Sequence, residues 1–270
     1  MRSDERGEKS KTIAQAVNVS PQYWSQLAQG KGVLAADKLE ILMDRLEFEP
    51  DEQVELRTLR EIAKGRNPYS KYSALFSAQL MRLYGLEDGA HSIRSFENCV
   101  VPGLLQCEDY IRVLMKASVT ISRPTEVEQR VQARLQRQRR LDEPSPLRLS
   151  VVIGEAVLAN RVGGPDIHRQ QLCHLRDLVD KYPETLDLRV IPFEEGTSIA
   201  SLNSSTFHLL DFESARLPPV GWFESTVRGE ITDDPDQVKT MEYLYEQVHK
   251  AAVGRDDTIK LIGQLASRIR

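Results

Sequence analysis

The sequence predicts an α+β protein, with an all-α N-terminal domain over residues 1–64 and a C-terminal mixed α/β domain around a small sheet over residues 65–270. Three observations carry this. Between Ser10 and Ala63 the apolar residues recur at helical spacing only. KGRNPYSKY then interrupts the pattern with Gly, Asn and Pro, the composition of a linker. From Leu147 onward the period changes, and short β-type runs alternate with helical ones.

The N-terminal domain centres on SKTIAQAVNVSPQYWSQLAQGK, Ser10 to Lys31. A first helix is expected from about Lys11 to Val17, a turn at Asn18-Val19-Ser20, and a second helix from Pro21 to Gln29. Ser20 can cap that helix with its hydroxyl, and Pro21 suits a first helical position, where no N–H is needed. Asn18 stands where a left-handed turn residue is wanted, and Asn tolerates that conformation better than most residues. Gly30 sits where helices commonly end. The inward set is Ile13, Ala14, Val17, Val19, Trp24 and Leu27, with small Ala14 allowing a close crossing. This is the layout of a helix-turn-helix, whose second helix enters the DNA major groove.

Two further helices complete the domain. Ala36–Leu46 places Leu39, Leu42, Met43 and Leu46 on one face. The helix opening at Pro50 or Asp51 carries Val54, Leu56, Leu59, Ile62 and Ala63. Arg2 to Ser10 contains no large apolar residue and cannot bury a helix face. Either the domain lacks a leading helix or the natural chain starts upstream.

Composition bounds the rest. Hydrophobic residues at 40% and charged ones at 28% describe a soluble globular chain. No apolar run reaches the roughly 18 residues of a membrane span, and the polar start MRSDERGEKS lacks a secretory core. Cys99, Cys107 and Cys173 are odd in number and without CxxC spacing, which suits apolar packing in a reducing cytoplasm. Net charge is −4, unfavourable for contact with phosphates. Residues 1–35, however, hold five Lys and Arg against three acids, a local +2. A dimer doubles that footprint.

In the second domain, helices are expected at Ala74–Leu86, Glu108–Met115, Glu126–Leu141, Asp166–Lys181, Met241–Val253 and Asp257–Ile269, with Asp234-Pro235 and Asp256-Asp257 as starts for the last two. Strands are expected at Ser92–Asn98, in LRLSVVIG from Leu147, and at Leu186–Phe193, Phe207–Phe212 and Val220–Glu224, giving a sheet of about four or five strands. Pro102-Gly103 reads as a turn. Arg130, Arg134 and Arg137 line one helix face, which is a solvated face by default, or else a protein-contact or second phosphate-contact surface.

Two resemblances follow from these residues. IAQAVNVSPQYWSQLAQGK resembles the lambda-repressor-like (xenobiotic-response-element) class of helix-turn-helix regulators, whose pattern is LAxxxGVSxxxISxxExGK. Asn18 replaces the usual turn Gly, and Ala28 replaces an acid that in the family pairs with a basic residue from a preceding helix. VPGLLQCEDYIRVL, RLQRQRRL, VVIGEAVLANRVGGP, LRVIPFEEG, FHLLDF and VGWFES, in that order, are similar to the C-terminal domain of actinobacterial antitoxin-like helix-turn-helix regulators. The likeness covers roughly Tyr69 to Ile269. It implies a DNA reader joined to a regulatory or partner-binding domain, often encoded beside a small companion protein.

Enzyme signatures are missing from the sequence: there is no GxSxG elbow, no HExxH and no P-loop. His168 and His174 are badly spaced for a metal and read as surface residues. Glu155 reads as a favourable acid at a helix start, and the adjacent pairs Glu194-Glu195 and Asp233-Asp234 lack the opposed geometry of acid–base partners. Neither a catalytic role, a cofactor nor a metal site is expected. The expectation is a cytoplasmic, homodimeric transcription regulator bound to a double-stranded operator. Gln22 and Gln26 would read base edges; Ser20, Tyr23 and Ser25 would contact phosphate or base; Lys11 and Lys31 would contact phosphate. The C-terminal domain would bind a small companion protein or effector and support dimerisation. The alternative is an antitoxin-like interaction module whose helix-turn-helix no longer reads DNA.

Overall fold

The computed structural model describes residues 8–28, 32–65, 68–117, 123–195, 206–214, 217–224 and 229–269. The chain divides into two compact units, Met1–Ser70 and Lys71–Arg270.

The first unit is helical: α1 (Ser10–Ala16), α2 (Pro21–Ala28), α3 (Ala36–Arg45) and α4 (Pro50–Lys64). Its core is small. Ile13, Ala14 and Val17 from α1 and its C-terminal cap meet Leu39, Met43 and Leu46 from α3 and its cap, all buried. Three expectations need correction. Trp24 and Leu27 are half-buried rather than core, and no residue of α2 is fully buried. Only two turns long, α2 packs on α1 with a single apolar edge. Val54 is 60% exposed, and Ala63 is exposed as well. The apolar stripe on α4 is therefore narrower than its spacing suggested. Residues 1–7 and Gln29, Gly30 and Lys31 lie outside the described residues.

The second unit is built on one six-stranded sheet in the order β3-β2-β1-β4-β5-β6. Its strands are β1 (Ser92–Glu97), β2 (Arg148–Gly154), β3 (Leu186–Ile191), β4 (Phe207–Asp211), β5 (Val220–Glu224) and β6 (Gly229–Thr232). β1, β2 and β3 run parallel, and β4, β5 and β6 continue the sheet antiparallel. The sixth strand exceeds the expected four or five. β6 is four residues, GEIT, too short and too weakly apolar to show a period-two pattern.

Parallel strands need cover on both faces, because their crossovers place helices there. The helices are α5 (Ala78–Gly89), α6 (Glu108–Ala117), α7 (Pro124–Gln138), α8 (Glu155–Ala159), α9 (Pro165–Lys181), α10 (Pro235–Ala251) and α11 (Arg255–Arg268). One face packs Ile93, Leu149, Val151, Ile153, Leu188 and Leu210 against side chains of α5, α6, α8, α9 and α11. The other packs Phe96, Val152, Ile191, Phe207 and Leu209 under α10 through Val238, Met241, Tyr245 and Val248. Ile93 and Phe96 thus take opposite faces of β1, as their spacing predicts.

One helix start shifts from expectation and another falls where the sequence offers one. α5 begins at Ala78, not Ala74, because the Ser77 hydroxyl accepts from the Leu80 N–H at 3.2 Å. α10 begins at Pro235, the start that Asp234-Pro235 offers in the sequence, where the Asp234 carboxylate caps it through the Gln237 N–H. Cys107 is buried as expected, whereas Cys99 and Cys173 are exposed. His168 is only 3% exposed, so it is a core residue of α9 rather than a surface one, and His174 is half-buried.

Phe96 fills the contact between β1 and α10 with no exposed surface. Its replacement by Ala should cost about 3–5 kcal/mol of stability. Val54→Ala, at a 60% exposed site, should change it by no more than about 0.5 kcal/mol. Urea unfolding of the two variants checks the contrast.

Candidate nucleic-acid interface and buried polar cluster

In the first unit the turn between α1 and α2 is fixed by its own chemistry. Asn18 adopts φ 52°, the left-handed conformation its side chain type tolerates. The Lys38 ammonium donates to the Asn18 carbonyl at 2.7 Å and ties the turn to α3. The Ser20 hydroxyl accepts from the Tyr23 N–H at 3.1 Å and caps α2. Ser20 is therefore occupied as a cap, in addition to any outward role. Arg45 of α3 holds Glu8 through two contacts of 2.9 and 3.1 Å, which anchors the chain ahead of α1.

The exposed side of α2 carries Gln22, Tyr23, Ser25 and Gln26. Gln22 and Gln26, one turn apart, share a face. The Tyr23 hydroxyl donates to the Val33 carbonyl at 3.4 Å, so it belongs partly to the packing of the following loop. Lys11 is exposed on α1. Lys31 lies outside the described residues. Ala28, standing where the family pattern has an acid, is exposed. The acids of α3 and α4 are largely engaged: Glu40 takes both arms of Arg57 at 2.7 and 2.6 Å. That ion pair holds the Glu40 carboxyl below its ordinary value.

The second unit conceals a polar cluster that sequence spacing did not reveal. The Arg130, Arg134 and Arg137 stripe of α7 does not face solvent. Arg137 is 8% exposed, and its guanidinium donates to both oxygens of buried Glu87 of α5 at 2.6 and 2.7 Å. It also lies 4.3 Å over the Tyr84 ring. Arg134 donates to the Gln106 amide oxygen at 2.8 Å, and Arg130 lies 4.9 Å over Phe76. The stripe is a protein-contact face within one unit, which corrects the solvated reading.

The VPGLLQ segment is what these arginines hold. It forms a 3₁₀ turn at Gly103–Leu105. Gln106 donates to the Val101 carbonyl at 2.6 Å. Gln138 of α7 donates to the carbonyls of Gly103 and Gln106. Gln171 of α9, fully buried, bridges the Leu105 carbonyl and the Cys107 N–H, both at 2.8 Å. Tyr110 accepts from the Val101 N–H at 3.3 Å. Gly103 lies against both arginines: a Cβ there would stand in ordinary contact, 3.4 Å from Arg137 Nη1 and 3.6 Å from Arg134 Nε.

Beneath this segment lies the carboxyl end of β1. Ser95 pairs in register with His208 of β4, and His208 with Trp222 of β5. Ser95 Oγ and His208 Nδ1 are hydrogen bonded at 2.8 Å, and Glu97 accepts from the Thr206 hydroxyl at 2.8 Å. His208 Nε2 stands 3.8 Å from Glu97 Oε1. Burial lifts the Glu97 carboxyl to about 8, with the nearby Glu224 charge adding to the rise and Arg134 and Arg137 opposing it. Burial, assisted by Arg137, lowers His208 to about 4. Near neutral pH both groups are therefore uncharged.

Other candidates resolve into structural roles. The Glu155 carboxylate accepts from the Phe193 N–H at 2.8 Å, joining α8 to the end of β3. Gly163 and Gly164 both adopt positive φ ahead of α9. Among the described residues no group of three or more His, Cys, Asp or Glu is placed to hold a metal ion. No described helix is long and apolar enough to cross a membrane.

A helical unit presenting a short polar helix, followed by a sheet with helices on both faces and a polar interior, defines a two-unit α/β protein. The chain belongs to the family described as Domain of unknown function (DUF5753), whose model matches residues 80–264. That span begins within α5 and ends within α11, so it covers the sheet and the polar cluster. No curated protein and no solved structure matches the chain.

Two outcomes follow from the cluster. Glu87→Gln leaves the buried Arg137 charge without its partner and should cost about 3–5 kcal/mol, read by urea unfolding. Glu97 keeps its proton in the folded chain up to about 8, while the unfolded chain loses it from about 4.5, so this site weakens folding as pH rises across that window. His208 contributes the opposite slope between about 4 and 6.5. In the comparison of Glu97→Gln with the parent chain the histidine cancels. The stability difference should therefore move in the variant's favour as pH rises from about 5 to 8, as urea midpoints along a pH series would register.

Proposed function

We propose that the protein is a sequence-specific DNA-binding transcription regulator of the lambda-repressor-like helix-turn-helix class. One observation carries the reading: Gln22 and Gln26 are exposed on one face of α2, a short helix capped by Ser20 and set against α1 by a left-handed turn at Asn18. A Gln amide can donate to and accept from one adenine edge, which suits base reading in the major groove. Ser20, Tyr23, Ser25 and Lys11, with Lys31, would position the helix on phosphates. The thin local charge of +2 over residues 1–35 favours a homodimer on two half-sites. The second unit then serves as the regulatory domain, receiving a small companion protein or an effector, and the protein works in the cytoplasm without enzymatic activity.

A gel-shift series with the DNA upstream of the protein's own gene tests this. Gln22→Ala combined with Gln26→Ala should weaken specific binding by about 1–3 kcal/mol per lost base contact and leave non-specific binding nearly intact. Lys11→Ala should weaken all sequences alike and flatten the salt dependence. Unaltered specific binding by the double Gln variant would rule out the base-reading assignment. Absence of any DNA affinity at low salt would favour the interaction-module reading.

A further inference from the structure

A helix that reads bases must be held at a fixed angle, and α2 has little core to hold it. None of its residues is fully buried. It packs on α1 by one edge, and the Tyr23 hydroxyl reaches the Val33 carbonyl at 3.4 Å. The turn ahead of it is more tightly specified. The Val19 N–H donates to the Ala14 carbonyl at 2.9 Å, and the Asn18 N–H donates to the Gln15 carbonyl at 3.1 Å. With Asn18 left-handed at φ 52°, these two bonds form a Schellman closure of α1. The closure satisfies carbonyls of α1 but does not use the Asn18 carbonyl.

That carbonyl is where Lys38 binds, across twenty residues of chain. Its ammonium donates to it at 2.7 Å. A charged donor makes a shorter and stronger bond than a neutral one, and a cation is favoured at the carboxyl end of a helix. Lys38 sits half-buried in the first turn of α3, beside Leu39. Leu39, Met43 and Leu46 share their core with Ile13, Ala14 and Val17. Lys38 therefore ties the residue that aims α2 to the firmest part of the unit. Lys11, by contrast, is exposed and open to phosphate.

We propose that Lys38 is a positioning residue for base reading: its bond to the Asn18 carbonyl sets the angle at which α2 presents Gln22 and Gln26. Lys38 acts through the turn and not on DNA itself. This role rests on α2 being the DNA-contacting helix, so one arm of the test uses no DNA.

Amide hydrogen exchange of the free, full chain is followed by mass spectrometry for Lys38→Met and Lys38→Arg. In Lys38→Met, residues 18–28 should exchange about threefold faster or more, with α4 and the second unit unchanged. Lys38→Arg keeps a charged donor and should restore most of the protection. Gel shifts then compare fragments of the DNA upstream of the protein's own gene with a scrambled duplex. Lys38→Met should weaken specific binding about tenfold, leave the scrambled duplex unaffected and keep the slope of affinity against salt. In the background of Gln22→Ala with Gln26→Ala it should add nothing, because it acts through those side chains. Equal exchange in Lys38→Met and the parent chain would overturn the proposal. So would weaker binding of both duplexes with a flatter salt slope, the mark of a direct phosphate contact. If no duplex binds the parent chain, the DNA-reading role of α2 falls, and the exchange contrast alone decides whether Lys38 sets the helix. If Lys38→Met unfolds the first unit, Asn18→Ala strains the same turn from its other side and should reproduce the loss of specific binding; intact specific binding by that variant overturns the proposal.

Discussion

The second unit depends on one buried ion pair. Arg137 of α7 and Glu87 of α5 meet with both arms and both oxygens engaged, each nearly out of reach of water. Isolated, either charge would be expensive in that interior. Together they fasten two helices that are about fifty residues apart in sequence over the same strand end. The VPGLLQ turn packs beside them, with the Cα of Gly103 facing the guanidinium of Arg137 and the side chain of Arg134. Three buried or half-buried glutamines, Gln106, Gln138 and Gln171, then satisfy the carbonyls and N–H groups that this irregular segment would otherwise leave unpaired.

The sheet explains why such a polar region is tolerated. β2 is apolar over most of its length, with Val151, Val152 and Ile153 completely buried, while Arg148 at its start is exposed and Ser150 is half-buried. β1 differs. It begins with Ile93 and ends with Ser95 and Glu97 on the same face, just where β4 turns the sheet antiparallel. Polar side chains at that end meet the polar underside of α7 rather than hydrocarbon. The result is a hydrogen-bonded interior whose groups hold unusual protonation states, set by burial first and by neighbouring charges second.

The first unit works by a different economy. Its core rests on six residues from α1, α3 and their caps, and α2 is held by a turn, a serine cap and one edge of packing. A helix secured that way keeps most of its surface outward. That is a poor arrangement for stability and a good one for contact with another molecule. The proposed DNA-reading role therefore falls to the first unit, and the buried polar cluster belongs to the second.

What the sequence determined by itself were features with local causes. Periodicity placed nearly every helix and five of the six strands, since 3.6- and 2-residue spacings arise from backbone geometry alone. Ser20, Pro21 and Asn18 announced the α1–α2 turn because caps and left-handed turns are short-range chemistry. The candidate base-reading residues Gln22 and Gln26 were legible for the same reason. The tertiary structure alone decided matters of partnership. The arginine stripe of α7 looks solvated on a helical wheel, and only the fold brings Glu87, Gln106 and Gly103 beneath it. His168 becomes core because α9 packs on the sheet, whereas Cys99 and Cys173 are left exposed. β6 exists because β5 offers it an edge, not because four residues of GEIT demand a strand. Glu97 and His208, 111 positions apart, carry no joint signal in sequence; the antiparallel pairing of β1 with β4 puts them side by side and burial then sets their charge.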